Sequence, residues 1–169
     1  MWKIKKLFLK EIYIRGITMF FKKENKISDI IKEKLKENNG KALMPTLRGV
    51  PIAFWLSPTG MGIETAQLPS YILEWEHFDA IVKKANELGG KMYRADVLAR
   101  SGGKLGQEIL HDSMEGFIAS ELLYFLDGTK ITRRSTYYSG ILAWAGIIAI
   151  HRSQGNGSYI TVNTKYRNK

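Results

Sequence analysis

Cysteine is absent from all 169 residues, which excludes a disulfide framework, a thiolate zinc site and a cysteine nucleophile. Long apolar runs are absent too. In the basic N-terminal stretch, Lys10 and Glu11 interrupt Leu7-Phe8-Leu9, and the longest uncharged stretch there is Gly16 to Phe21. That is too short for a signal-peptide core of roughly 7 to 15 residues or a spanning helix of about 20. The expectation is a cytoplasmic chain with no stable membrane insertion. Histidine is scarce: His77, His111 and His151 have no second histidine at helical or hairpin spacing, so no metal cluster is expected. Acidic residues stop at Asp127.

What is present is an ordinary globular composition, 44% hydrophobic and 25% charged, with a formal net charge of +10. The charge is segregated. Residues 1–48 carry 13 basic and 5 acidic side chains, residues 49–128 carry 6 and 11, and residues 129–169 carry 7 and none. Basic ends around an acidic middle, with an acid-free tail, point to a polyanionic partner.

Three stretches organise the chain. Residues 1–23 read as a basic amphipathic segment, with Met19 as an alternative start. Residues 24–72 read as a helix plus a small β-hairpin. Ile27, Ile30, Ile31 and Leu35 recur at helical spacing before Asn38-Asn39-Gly40 stops them, and Val50 to Leu56 and Met61 to Ala66 are strands joined by Ser57-Pro58-Thr59-Gly60. Pro51 argues for an edge strand, because proline cannot donate to a ladder.

Residues 73–169 form the third stretch. Phe78, Ile81, Val82, Ala85 and Leu88 predict a helix closed by Gly89-Gly90, Lys91 to Tyr93 a short strand, and Arg94 to Arg100 a brief helix. Asp112 reads as an N-cap with Glu115 completing a capping box. The helix it opens has Met114, Phe117, Ile118, Leu122, Phe125 and Leu126 on its apolar face and ends at Gly128. Ser135 caps a further helix on which Tyr138, Ile141, Leu142 and Ala145 share one face. Ile147 to His151 and Ser158 to Thr164 are strands around a Ser153-Gln154-Gly155-Asn156-Gly157 tip. Helix, strand, helix, helix, strand, glycine-rich tip, strand is the order of a winged helix. The expected fold class is therefore α+β, a winged-helix C-terminal domain with an N-terminal helix and small hairpin.

The segments Arg133-Arg134-Ser135-Thr136-Tyr137-Tyr138, Leu142-Ala143-Trp144-Ala145-Gly146-Ile147-Ile148 and Gly157-Ser158-Tyr159-Ile160-Thr161 resemble the end of the winged-helix module at the N-terminus of Mrr-type restriction proteins. The resemblance implies a DNA-binding accessory or regulatory factor in a restriction-related or mobile-element setting. The chain departs from that pattern through extra residues at 104–128 and the lack of a following nuclease domain, so cleavage is not implied.

The residues themselves support contact with double-stranded DNA. Lys130, Arg133, Arg134, Ser135 and Thr136 cluster at a helix start, where side-chain donors and the positive dipole end suit phosphate or base edges, and Arg152 and Asn156 sit on the wing. A solvated basic helix cap is the competing explanation for the arginines. The alternative function is a protein-interaction module, for a partner chain or homodimer, using Tyr137, Trp144 and residues 50–56; for Trp144, core packing is the favoured role. No catalytic constellation and no cofactor is expected. Ser101-Gly102-Gly103-Lys104 has glycines where a helical turn is needed, Gly89-Gly90-Lys91 and Gly103-Lys104 lack the rest of a phosphate loop, and Glu24-Asn25-Lys26 has no preceding Asp for a nuclease core.

Overall fold

A computed structural model of the chain describes residues 25–153 and 157–167. The expectations for residues 1–23, Met19 and Asn156 lie outside the described residues. The fold is α+β. Helix α1 (Ile27–Glu37) buries Ile27, Ile31 and Leu35 and leads into the strands β1 (Lys41–Met44), β2 (Ile52–Leu56), β3 (Gly62–Thr65) and β4 (Leu73–Glu74). Then follow α2 (Trp75–Glu87), β5 (Lys91–Tyr93), α3 (Asp96–Arg100), α4 (Met114–Phe117) with a π-helical continuation (Ile118–Leu122), α5 (Ser135–Trp144), β6 (Ile148–Arg152) and β7 (Ser158–Val162).

The strands make two antiparallel sheets, one ordered β1-β2-β3-β4 and one ordered β5-β7-β6. The expected N-terminal hairpin is thus the middle of a four-stranded meander. Its flanking strands are too short to carry a readable alternation. Pro51 does not mark an edge, because β2 lies between β1 and β3. Pairing with β1 begins at Met44↔Ile52, one residue after the proline, so the ladder never needs its missing N–H. The C-terminal hairpin pairs Ile148↔Val162, Ile150↔Ile160 and Arg152↔Ser158, and β7 also receives β5 through Met92↔Ile160. Ser158, Ile160 and Val162 are buried while Tyr159 and Thr161 are partly exposed, as the alternation in the sequence requires.

Helix α5 lies between the two sheets, packing on β1 and on β6. Gly140 makes the close approach to β1 possible, since a Cβ there would meet Met44 Sδ at 2.5 Å. Consequently Tyr137 through Leu142 are all buried, and one hydrophobic core joins Ile31, Leu35, Met44 and Phe54 to Tyr138, Ile141 and Ile160. Residues 24–72 therefore share their core with the C-terminal elements rather than hanging from them as an appendage. Trp144 belongs to this packing, edge-on to Phe54 at 5.1 Å with Lys34 Nζ 4.7 Å from its ring centroid. Of the residues expected to face a protein partner, Tyr137, Ile52 and Phe54 are buried, whereas Val50 is exposed.

The helix expected from Asp112 is shorter than its sequence pattern. Ser113 is the N-cap, its Oγ accepting from Gly116 N at 3.1 Å, and Glu115 completes no capping box because its carboxylate turns to another helix. Ser120 Oγ donates back to the Gly116 carbonyl, the winding relaxes to π geometry, and Tyr124 at φ 57° ends the helix. Leu126 is consequently exposed rather than on the apolar face. A second small core joins Leu105, Ile109 and Ala119 to the flanking Ala99 and Ile131.

Gly116 is required by the contact between α4 and the preceding loop, since an added Cβ would overlap the Leu110 carbonyl oxygen. Backbone cannot yield there as a side-chain tip could. Gly116→Ala is expected to destabilise the fold by about 3 kcal/mol in urea titration; an unchanged midpoint would contradict this packing.

Candidate functional site

A cleft of about 740 Å³ opens where the β5-β7-β6 sheet, the start of α5 and the β1–β2 loop meet. Among the described residues, five arginines line it, Arg48, Arg94, Arg100, Arg133 and Arg152, against the single carboxylate of Asp96. Thr46, Gln67, Thr136 and Ser158 add uncharged polar side chains to the wall.

Strand alternation sets the floor. On β5 and beyond it, Met92 points inward, Tyr93 outward and Arg94 inward, so a guanidinium enters where the core ends. Arg94 is only 3% exposed. Its Nη2 donates to Thr136 Oγ1 at 3.1 Å and stands 3.5 Å from Asp96 Oδ2, and its Nε has no protein partner. Burial pushes the Arg94 pKa down, and the Asp96 and Glu115 carboxylates oppose that shift. Asp96 Oδ1 accepts from Ser158 Oγ at 2.8 Å, so the one acid of the cleft is already engaged by a cation and a hydroxyl. Arg48, Arg100 and Arg152 are exposed at the rim, and Arg133 is half-buried. Arg152 Nη2 donates to the Leu47 carbonyl, which ties the end of β6 to the β1–β2 loop.

Of the residues expected from sequence, Arg133, Thr136 and Arg152 come together in this cleft. The others go elsewhere. Lys130 is exposed, bridged to Lys104 and laid against Gly102. Arg134 packs its guanidinium 5.0 Å from the Tyr71 ring centroid and 5.6 Å from that of Phe125. Ser135 is wholly buried, and its hydroxyl donates to Glu115 Oε1 at 2.7 Å, so it neither caps its own helix nor faces a ligand. With α5 covered on both sides, only its first turn reaches the cleft, through Thr136 and the preceding Arg133. Arg48 and Arg100 lie on a loop and a short helix, where sequence offers no periodic signal. Arg94 was legible only by extending the β5 alternation one residue past the strand.

The first turn of α5 is held from outside. Glu115, 1% exposed, accepts the backbone N–H groups of Arg134 (2.9 and 3.0 Å to its two oxygens) and Ser135 (2.9 Å), as well as the Ser135 hydroxyl. Its own N–H donates to the Arg94 carbonyl at 3.1 Å. One residue therefore fixes the α5 start through its side chain and the β5 end through its backbone, and with them Arg133, Thr136 and Arg94.

The three histidines occupy separate places. His77 Nδ1 lies 2.8 Å from the Tyr138 hydroxyl, His111 Nε2 is 2.9 Å from Asp127 Oδ1, and His151 Nε2 is 2.8 Å from Thr161 Oγ1. Among the described residues no group of three His, Asp or Glu could hold a metal ion, and no helix is long and apolar enough to cross a membrane. Compared with known protein families, curated proteins and solved structures, the chain matches none.

Burial raises the Glu115 pKa from its ordinary 4.5 to about 7, against the opposing pull of its hydrogen bonds from Ser135 and Arg134. Between those values the folded chain keeps a proton that the unfolded chain has lost. The stability this group contributes is full below about pH 4.5 and declines through pH 7, by about 3 kcal/mol. Glu115→Gln retains Oε1, which can accept all three donors, and is expected to abolish this part of the pH slope in thermal melts between pH 5 and 8. Glu115→Ala leaves those donors unmet and is expected to cost about 3 kcal/mol at pH 6. A wild-type slope identical to that of Glu115→Gln would refute the assignment.

Proposed function

We propose that the chain binds double-stranded DNA through the arginine cleft, as a winged-helix unit clasped by the β1–β2 loop. The observation that carries this reading is five arginines facing one cleft with one carboxylate, itself paired. Such an excess of guanidinium suits a phosphate backbone, which takes bidentate contacts from arginine. The order α2-β5-α3-α5-β6-β7, with strands arranged β5-β7-β6, supports the winged-helix reading, with residues 104–128 as an insertion between its second and third helices. The Mrr-type resemblance adds a restriction-related or mobile-element setting.

The burial of α5 shapes the mode of binding. Rim arginines reach phosphates, but no face of α5 is free to read base edges, so discrimination between sequences is weak. A ligand phosphate at Arg152 replaces the Leu47 carbonyl as acceptor and frees the loop from the wing. Four rim arginines, Arg48, Arg100, Arg133 and Arg152, predict that log K for a labelled duplex falls with log[salt] at a slope of about −3.6. The Arg133→Ala/Arg152→Ala double variant should reduce the slope to about −1.8 and weaken unrelated duplexes equally. Lys83 is exposed on α2 and away from the cleft, so Lys83→Ala serves as the control. Fluorescence anisotropy at several salt concentrations decides: no binding at low salt, or a loss from Lys83→Ala as large as from the arginine pair, refutes the assignment.

A further inference from the structure

The β5-β7-β6 sheet has two different faces. Its inner face continues from Met92, Ile160 and Ile148 in the core to Arg94, Ser158 and Arg152 in the cleft. On its outer face the same strands present one ring each in register, Tyr93↔Tyr159 and Tyr159↔His151. The His151 and Tyr159 rings stack at 4.8 Å with planes 15° apart, and Tyr93 meets Tyr159 at 6.1 Å and 60°. Lys91 holds its ammonium 4.2 Å from the Tyr159 ring centroid and 5.2 Å from that of Tyr93. Tyr93 is 56% exposed, and none of the three strands carries an acidic residue.

We propose that this outer face is a stacking platform for the bases of a single-stranded nucleic acid. An aromatic row spanning a sheet, with a lysine on it and no carboxylate in its strands, matches the two parts of such a ligand: π faces for bases and a cation for phosphate. In a duplex the base faces are already stacked on one another, so the platform selects unpaired nucleotides. Lys91 covers the rings in the free chain, and a base arriving on Tyr93 releases its ammonium to the neighbouring phosphate. Every residue of the platform is distinct from the cleft, so the platform stands or falls independently of duplex binding there. A purely structural role for the row, as cross-strand ring pairs that steady the sheet, predicts loss of stability without loss of binding.

The test uses the full chain and a labelled oligothymidylate of about 15 nucleotides. Tyr93→Ala and His151→Ala should each weaken it about ten-fold, and Tyr93→Phe, which keeps the π face, should stay within about two-fold of wild type. Duplex affinity should be unchanged by these variants, whereas Arg48→Ala/Arg133→Ala should weaken the duplex. Photocrosslinking of wild type with a 5-iododeoxyuridine-substituted strand needs no mutation and should label Tyr93, His151 or Tyr159. Absence of oligothymidylate binding at low salt overturns the proposal. So do equal affinities for Tyr93→Ala and Tyr93→Phe, or crosslinks confined to cleft residues.

Discussion

The start of α5, which brings Arg133 and Thr136 to the cleft, is held by one buried carboxylate. Glu115 satisfies the first backbone donors of α5 across a separation of about twenty residues and anchors its own backbone on Arg94. Helix starts ordinarily take a cap from their own chain just upstream. Here Arg134 is the N-cap and supplies no side-chain bond, so the cap is tertiary. The insert is thereby structural: its short helix exists where it does because Ser113 caps it, Gly116 lets it close on Leu110, and Glu115 then reaches α5. Burial of that carboxylate is costly when it is ionised, and the donors converging on it offset part of the cost.

Fixing α5 between two sheets has a functional consequence. On the DNA-binding reading proposed above, a helix covered on both sides presents only its first turn, and contact passes to the arginines around it: Arg133 just before the helix, Arg100 on a short helix, Arg48 on a loop and Arg152 at the end of β6. The alternation of β5, β6 and β7 then divides the labour of a single sheet. Residues pointing in extend the core into a cationic cleft, and residues pointing out form a row of rings. Under the proposals made above, one hairpin meets a duplex backbone on one face and unpaired bases on the other.

Much of the fold was legible because burial repeats with the period of the element. Ile27, Ile31 and Leu35, the Phe78 to Ala85 stripe and the Ile160 to Val162 alternation each identify helix or strand without tertiary knowledge. The failures share a physical cause. Strands β1 and β4 owe their existence to pairing partners rather than to local pattern, and the pattern from Met114 to Leu126 was overridden by a π turn and by Tyr124. Glu115 and Ser135 looked like local caps because their spacing permits it, yet they bond to each other. In the site, Arg133, Thr136 and Arg152 were visible as basic and polar residues around a helix start and a wing. Arg48, Arg94 and Arg100 converge on them only through the fold.

The most direct measurement of the central claim is hydrogen–deuterium exchange of the full chain, free and saturated with a duplex at low salt. Slower exchange is expected in residues 45–51, 94–100 and 132–137, the loop, short helix and helix start that frame the cleft, with α1 and α2 unaltered. Protection confined to surfaces outside the cleft, or no protection despite saturating duplex, would contradict the account.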